Sequence, residues 1–128
     1  MAKSSLAKAK EITNKTKKIV LERQGGLSIT GRIFDGVVHY HHIVSKGCEG
    51  VGYAFNVVAL HPIEHWNYHQ GCKIQGEFRD WTPLEFDLFI DDYMKSIYEG
   101  WDRDICAYHP GWSEQDYWNA MKGKNDSK

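Results

Sequence analysis

Histidine is concentrated in one part of this chain, because six of its seven histidines lie between residues 39 and 72. Imidazole binds transition metals and exchanges a proton near neutral pH. Residues four apart in a helix share one face, so His65 and His69 can hold the same ion. Neighbouring residues point in different directions, so one of His41 and His42 can complete that site while the other stays free to move a proton. The spacing therefore predicts a hydrolytic metal site.

The remaining histidines are less informative. Single histidines are more often structural or pH-sensitive surface groups, so His39 and His109 are expected to be structural. His61 stands just before the predicted helix that carries His65 and His69, where it fits a helix-start position. The prediction of a site therefore depends on the combination of histidines and on Asn56 between them.

Two strands, a loop and a helix must bring these residues together. A strand is expected from residue 37 to about 43, which is rich in β-branched and aromatic residues. A glycine-rich loop follows through residue 55, the segment NVVAL resumes a strand, and Pro62 and Gly71 fit the two ends of a helix over 62–70. The flanking predictions are a helix over 5–24 ended by Gly25-Gly26, a short hairpin region from 27 with turns at 30–32 and 35–36, a capped helix over 82–99, a helix from Ser113, and a frayed end over the last seven residues.

The motif formed by His41-His42-Ile43, by Asn56 at the start of NVVAL and by His65 resembles the HNH nucleases of the ββα-metal fold. His69 makes it most similar to the nuclease domains of DNase colicins, and KKIVLERQGGLSITGR is similar to the segment before the motif in small stand-alone phage HNH nucleases. The similarity covers about residues 18–71. It implies an α+β fold in one domain, 1–128, with a treble-clef-like ββα-metal motif, a basic N-terminal helix and a helical C-terminal extension over about 72–121.

The resemblance also implies roles for individual residues. His42 is the general base that activates water; His41, His65 and His69 hold one divalent metal ion; and Asn56 tethers the loop that presents His42. Imidazole ligation suits Zn²⁺, Ni²⁺ or Co²⁺ better than Mg²⁺, which prefers oxygen, although Mn²⁺ and Mg²⁺ remain candidates for activity. The implied reaction is one-metal hydrolysis of DNA that leaves 5′-phosphate and 3′-hydroxyl ends.

The sequence departs from the family pattern in two ways. Many relatives hold a structural zinc on four cysteines, and the corresponding residues here are Ser28, Gly31, His61 and Glu64. We expect hydrophobic packing to replace that zinc, and about one ion per chain; the side chains expected to fill the space are Ile29, Ile33, Ile63 and Trp66. His39 stands where colicin-type enzymes carry an acidic residue, so the sequence lacks the carboxylate that orients the catalytic groups in those enzymes.

Charge is distributed unevenly along the chain. Residues 1–34 carry eight Lys or Arg against two Glu, whereas residues 71–128 carry seven basic against twelve acidic residues. A basic segment can bind the phosphates of DNA or RNA without sequence preference, or it can simply be a solvated helix. The predicted phosphate-binding residues are Lys15, Lys17, Lys18, Arg23, Arg32 and Lys46. The aromatic residues of the acidic segment are expected to pack as a helical extension of the core.

Composition bounds the remaining classes. The 128 residues suffice for one hydrophobic core, and the chain has neither a membrane-spanning run nor an apolar leader, so a cytoplasmic protein without membrane contact is expected. Three cysteines without a CxxC pair indicate reduced thiols. Two alternatives to the nuclease stay open: a non-catalytic nucleic-acid-binding or protein-binding module with a structural histidine-bound zinc, and an accessory subunit of a phage, recombination or packaging assembly.

Overall fold

A computed structural model of the protein describes residues 4–126 and shows a mixed α+β structure with two small antiparallel sheets. The helices are α1 (Ser5–Lys10), α2 (Asn14–Arg23), α3 (Pro62–His69), α4 (Pro83–Ile97) and α5 (Glu114–Asp126). The strands are β1 (His39–His42), β2 (Val57–Leu60), β3 (Ile74–Gln75) and β4 (Asp80–Trp81).

The basic N-terminal segment forms two helices, so the prediction of one helix over 5–24 was wrong. Thr13 adopts an extended backbone and caps α2, with its hydroxyl accepting the Thr16 N–H at 3.2 Å. A threonine that bonds to the backbone in this way favours a helix start over a helix interior. Gly25 and Gly26 follow α2 with positive φ angles, as predicted for its end.

The turn between α1 and α2 packs against the glycine-rich loop. The Gly52 N–H donates to the Ala9 carbonyl at 2.8 Å. A Cβ on Gly52 would lie 2.1 Å from the Glu11 carbonyl oxygen and 2.8 Å from that of Lys10, so the close approach requires glycine. The N-terminal segment is therefore fixed beside the histidine pair.

The hairpin region expected from residue 27 is absent from the described residues, because the chain is irregular between 27 and 38. A side chain pairs the outward backbone groups of β2 instead of a third strand. The Gln24 amide bonds to both the N–H and the carbonyl of Ala59, at 2.9 and 3.0 Å. Ile29 N–H adds a bond to the same carbonyl at 3.1 Å. With those groups paired, no third strand is needed there. A tight turn remains at Ser28–Arg32, closed by the Ser28 N–H and the Arg32 carbonyl.

The central β1–β2 pair and helix α3 agree with the predicted elements. His41 is paired with Val58, and His42 with Val57, in an antiparallel register. Strand β2 is buried along its whole length, because Val58 and Leu60 face one core cluster while its other two residues face a second cluster with α2. Helix α3 follows β2 directly. The predicted order of strand, loop, strand and helix is thus present.

The C-terminal segment packs on this unit through aromatic side chains. The Trp101 indole N–H donates to the Phe55 carbonyl at 2.6 Å, and the Phe55 ring contacts the rings of Tyr117 and Trp118. Thr82 caps α4 in the predicted capping box. One hydrophobic cluster therefore includes residues from both halves of the chain.

Three details of the C-terminal segment differ from expectation. The short hairpin of β3 and β4 was not predicted. Phe78, expected to pack in the core, is 84% exposed. Helix α5 continues to Asp126, so the stretch expected to fray is helical that far, while 127 and 128 lie outside the described residues. No helix among residues 4–126 is long and apolar enough to cross a membrane.

Candidate functional site

Three histidine side chains converge where β1 meets α3. One ring nitrogen from each of His41, His65 and His69 lies within 4.8 Å of the others. His65 Nε2 and His69 Nε2 are 2.9 Å apart, as expected for residues four apart on α3. The rings of His41 and His69 have centroids 5.7 Å apart. The three residues expected to share an ion are therefore together, and their donor set suits a transition metal.

His39 extends this cluster instead of standing apart as a lone structural histidine. Its Nδ1 lies 3.0 Å from His65 Nδ1, on the side of the ring opposite the nitrogen that faces His69. Metal-binding histidines usually give their second ring N–H to a neighbouring acceptor, which fixes the ring orientation. His39 occupies the place of such an acceptor with an imidazole.

Burial keeps the imidazoles of His41 and His65 neutral. Desolvation, reinforced by neighbouring His65 and His69, lowers the pKa of His41 from its ordinary value to about 3. Burial, together with His69 and His39, lowers the pKa of His65 to about 4. Neutral imidazole has the lone pair that a metal ligand requires. His41 and His65 are therefore in their metal-binding protonation state near pH 7.

The metal-free protein is expected to lose stability on acidification. Because the folded pKa of His41 is depressed, the unfolded chain binds more protons between about pH 6.5 and pH 3, so stability is lost as pH falls through this window. Between about pH 6.5 and pH 5, His41 should contribute a loss on the order of 2 kcal/mol. Thermal melts of the metal-free protein at both pH values measure it. In His41→Gln the pH-dependent difference should shrink; an equal difference in both proteins would contradict the assignment.

His42 points away from this cluster and makes a different contact. Its Nε2 donates to the Lys10 carbonyl at 2.9 Å, which places the ring proton on Nε2. Within the described residues no protein group bonds to its Nδ1, which therefore carries a free lone pair. Burial lowers the pKa of His42, although the hydrogen bond to Lys10 opposes the shift. The structure thus brings the histidine pair close to α3. His41 lies in the histidine cluster, whereas His42 lies against the Lys10 carbonyl.

Asn56 is fully buried, and its side chain ties the start of the glycine-rich loop to the middle of that loop. Its side-chain oxygen accepts the Val44 N–H at 2.8 Å, and its amide donates to the carbonyls of Val44 and Val51 at 3.1 and 2.7 Å. The Asn56 carbonyl also accepts the Ile43 N–H at 2.8 Å. All hydrogen-bonding groups of the side chain are used on the backbone that follows His42. These hydrogen bonds form the tether that was expected of Asn56.

A polar network from the C-terminal extension supports the cluster, and sequence inspection did not identify it. The Tyr68 ring contacts the His41 ring, and its hydroxyl donates to Asp87 at 2.6 Å. Arg103 binds both oxygens of Asp91, at 2.8 and 3.1 Å, and donates to the Ile43 carbonyl at 3.3 Å. No local spacing links these residues. The only available signal was the excess of acidic residues in the extension.

Ser28, His61 and Glu64, three of the four residues expected in place of cysteines, lie in a polar network, so the prediction of hydrophobic replacement was wrong. Glu64 is fully buried, accepts from the Thr30 hydroxyl and from the His61 N–H, and lies 3.5 Å from Arg32 Nε. The Ser28 hydroxyl joins the network through Thr30 at 2.7 Å. Hydrogen bonds and an ion pair thus connect the turn to α3, as a shared metal would.

Of the four proposed space-filling side chains, only Ile29 is buried. Ile33 is 74%, Ile63 45% and Trp66 62% exposed. A carboxylate at residue 64 needs polar partners, which exclude apolar side chains from the same space. His61 has the expected helix-start role, because its Nδ1 accepts the Ile63 N–H in a capping box with Glu64.

Two predicted phosphate-binding arginines have internal partners. Arg23 donates to the carbonyls of Ala54 and Val57 and to the Tyr98 hydroxyl, at 2.6 to 2.9 Å. Arg32 is engaged by Glu64 and by the Gln75 carbonyl. Guanidinium groups held in this way stabilise the fold and have few donors left for DNA, so we remove both from the predicted set. The predicted lysines Lys15, Lys18 and Lys46 are exposed, and Lys17 is half-buried.

Two depressions meet at the histidine cluster. The main cleft, of about 670 Å³, is lined by Glu11, Ile12, Lys17, Val38, His39, Tyr40, His41, His42, Ser45, Lys46, His65 and His69. The apolar groove, of about 590 Å³, is lined by His39, His61, Pro62, Ile63, His65, Trp66, His69 and Gln70. His39, His65 and His69 line both.

No protein-family model matches this chain, and no curated protein and no solved structure is significantly similar to it.

Proposed function

We propose that this chain is a metal-dependent endonuclease of the HNH type, with a ββα-metal site, that hydrolyses DNA phosphodiester bonds with His42 as general base. One observation carries the proposal. His42 lies in the same cleft as three converging histidines, yet its ring is held by a backbone carbonyl and leaves one nitrogen free. A purely structural metal site has no need of this additional, oriented imidazole.

The residues His41, His65 and His69 would hold the divalent ion. When bound, the ion supplies positive charge that neutralises the phosphate and stabilises the departing 3′-oxygen. The all-imidazole donor set favours Zn²⁺, Ni²⁺ or Co²⁺ in the purified protein. The ion that supports the fastest cleavage can be a different one, such as Mn²⁺ or Mg²⁺.

His42 performs the proton transfer in this proposal. Its free Nδ1 takes a proton from the attacking water as the water oxygen forms a bond to phosphorus. The Lys10 carbonyl accepts from Nε2, so it fixes the tautomer and stabilises the positive ring that forms. The bond from phosphorus to the 3′-oxygen breaks, and that oxygen takes a proton from solvent water while His42 returns its proton to solvent. The products are a 5′-phosphate and a 3′-hydroxyl.

Two side chains hold the backbone that follows His42. Asn56 fixes the loop that follows it, and Arg103 donates to the carbonyl of the next residue, Ile43. Such constraints matter because misplacing a catalytic group by about 1 Å can cost about 10²-fold in rate. Lys17 and Lys46 line the same cleft and would attract the phosphates on either side of the cut. Contacts of this kind confer little sequence specificity.

Plasmid cleavage with Mg²⁺, Mn²⁺, Ni²⁺ and Zn²⁺ tests the proposal directly. We expect nicking of supercoiled DNA with at least one ion and none after chelation. If no ion supports cleavage of DNA or RNA, the nuclease proposal fails. Tight metal binding without cleavage would then favour the module with a structural histidine-bound zinc, and activity that appears only with added phage or packaging proteins would favour the accessory subunit.

Replacing Gly52 by alanine should slow cleavage without removing the metal. The new Cβ would overlap the carbonyls of Glu11 and Lys10, so the segment that holds His42 Nε2 must move. We expect the rate to fall on the order of 10-fold at unchanged metal content. Nitrogen-15 NMR of His42 should show a mixture of ring tautomers in place of the single Nε2-protonated form.

Gly47→Ala is the matched control in the same loop. A Cβ there would meet only the Ser45 hydroxyl at 3.9 Å, an ordinary contact. Its cleavage rate should stay within about 2-fold of wild type, because nothing near His42 has to move. If Gly52→Ala is as fast as Gly47→Ala, the Lys10 carbonyl does not position His42.

A further inference from the structure

The apolar groove beside the metal-binding histidines has no role in the mechanism above. Its apolar wall is formed by Pro62, Ile63 and Trp66 on α3, and Trp66 is 62% exposed. A large indole left largely open to water neither packs the core nor contributes its full hydrophobic free energy to folding. The wall is therefore available to an apolar occupant from outside the chain.

The position of Trp66 on α3 relates it to the metal-binding residues. One helical step is about 100°, so Trp66 follows His65 around the helix and lies about 60° from His69. Ile63 lies three residues before Trp66 and therefore continues the same stripe. The apolar stripe thus runs along the helix immediately beside the histidine stripe, and His65 and His69 line the groove together with Trp66.

The two depressions at the cluster differ in charge. The main cleft contains Lys17 and Lys46, whereas no lysine or arginine lines the apolar groove within the described part of the chain. Phosphates are therefore favoured in the main cleft and disfavoured in the groove. Gln70 and His61 supply polar groups at the rim of the groove. A flat, uncharged group with hydrogen-bonding edges matches this arrangement.

We infer that the apolar groove binds one unpaired nucleobase of the strand being cut, stacked on Trp66. The inference rests on the proposed function. The groove and the main cleft share His39, His65 and His69, so a nucleotide whose phosphate lies in the main cleft can place its base in the groove. Bases in an intact duplex have both faces covered by their neighbours. The preferred substrate is therefore single-stranded, frayed or branched DNA, since only an unpaired base offers a free face to the indole.

The test compares Trp66→Ala, Trp66→Phe and wild type in binding to labelled single-stranded and hairpin-duplex DNA of matched length. Fluorescence anisotropy in the presence of Ca²⁺ or chelator measures binding without requiring cleavage. For Trp66→Ala we expect about a 10-fold weaker affinity for the single strand and less than a 2-fold change for the duplex. Trp66→Phe should retain most of the single-strand affinity, because phenylalanine also stacks.

Leu84→Ala is the matched control, because Leu84 is also exposed, at 69%, but lines neither depression. Equal weakening for both DNA forms, no weakening, or the same effect in Leu84→Ala overturns the inference. A Trp66→Ala change in oligomeric state without any change in DNA binding also overturns it and makes the groove a protein contact. If the wild type cleaves plasmid but Trp66→Ala binds single-stranded DNA as well as the wild type does, the nuclease proposal stands and the base site is wrong. If Trp66→Ala loses single-strand affinity but the wild type cleaves nothing, the base site stands and the nuclease proposal is wrong.

Discussion

Replacing His42 by alanine is expected to lower the rate of DNA cleavage by about 10²-fold or more while metal content stays at the wild-type level. The reason is geometric. The His42 ring is held by the Lys10 carbonyl and does not belong to the group formed by His41, His65 and His69. Its removal therefore takes away the proton acceptor and leaves the three candidate ligands in place.

The measurement is nicking kinetics together with metal analysis of the same samples. Added imidazole should restore part of the lost rate, because a small base can enter the space that alanine leaves. Cys48→Ala, an exposed substitution in the same loop, is the control for general disturbance of the loop. A His42→Ala protein that cuts as fast as wild type would show that the proposed base is wrong.

His65→Ala is expected to abolish both metal binding and cleavage. His65 lies between two other imidazoles, with His39 Nδ1 at 3.0 Å and His69 Nε2 at 2.9 Å from its two nitrogens. Its loss removes one of three ligands and leaves His69 without its ring partner. We expect metal affinity to fall by more than about 100-fold, beyond the range typical of outer hydrogen-bonding partners.

Two substitutions make this result specific. His39→Ala should weaken metal binding by only about 10- to 100-fold, since His39 supports the His65 ring from outside the group of three. His109→Ala should leave the metal unchanged, because His109 stacks on Trp112 and lines neither depression. Metal stoichiometry by mass spectrometry should be about one ion per wild-type chain. One tightly held ion in His65→Ala would contradict the ligand assignment.

The sequence alone was sufficient where short-range physics decides the outcome. Helix α3 begins at the predicted proline and is followed by Gly71 with positive φ, because capping and backbone preferences depend on adjacent residues. The helical repeat places His65 and His69 side by side in any such helix. The mixed α+β class was an implication of the family resemblance, and the order of strands and helices in the structure agrees with it.

The partners of long-range polar groups were decided only by tertiary structure. The family resemblance suggested only that Glu64 stands in place of a cysteine. Its burial beside Thr30 and Arg32 depends on a turn more than 30 residues away in the chain. The same holds for Arg23, which was predicted to bind DNA and instead donates to the Ala54 and Val57 carbonyls. The local sequence around a charged side chain is the same whether its partner is internal or external. Only the packing of the chain determines which partner it meets.

The histidine pair shows both levels in adjacent residues. Alternation along a strand predicted that His41 and His42 would point in different directions. It did not predict that the break between α1 and α2 would bring the Lys10 carbonyl to His42, or that the Tyr68 ring would lie against His41. Local periodicity fixes the direction of a side chain, whereas its protonation and its chemistry depend on the groups that the rest of the chain places around it.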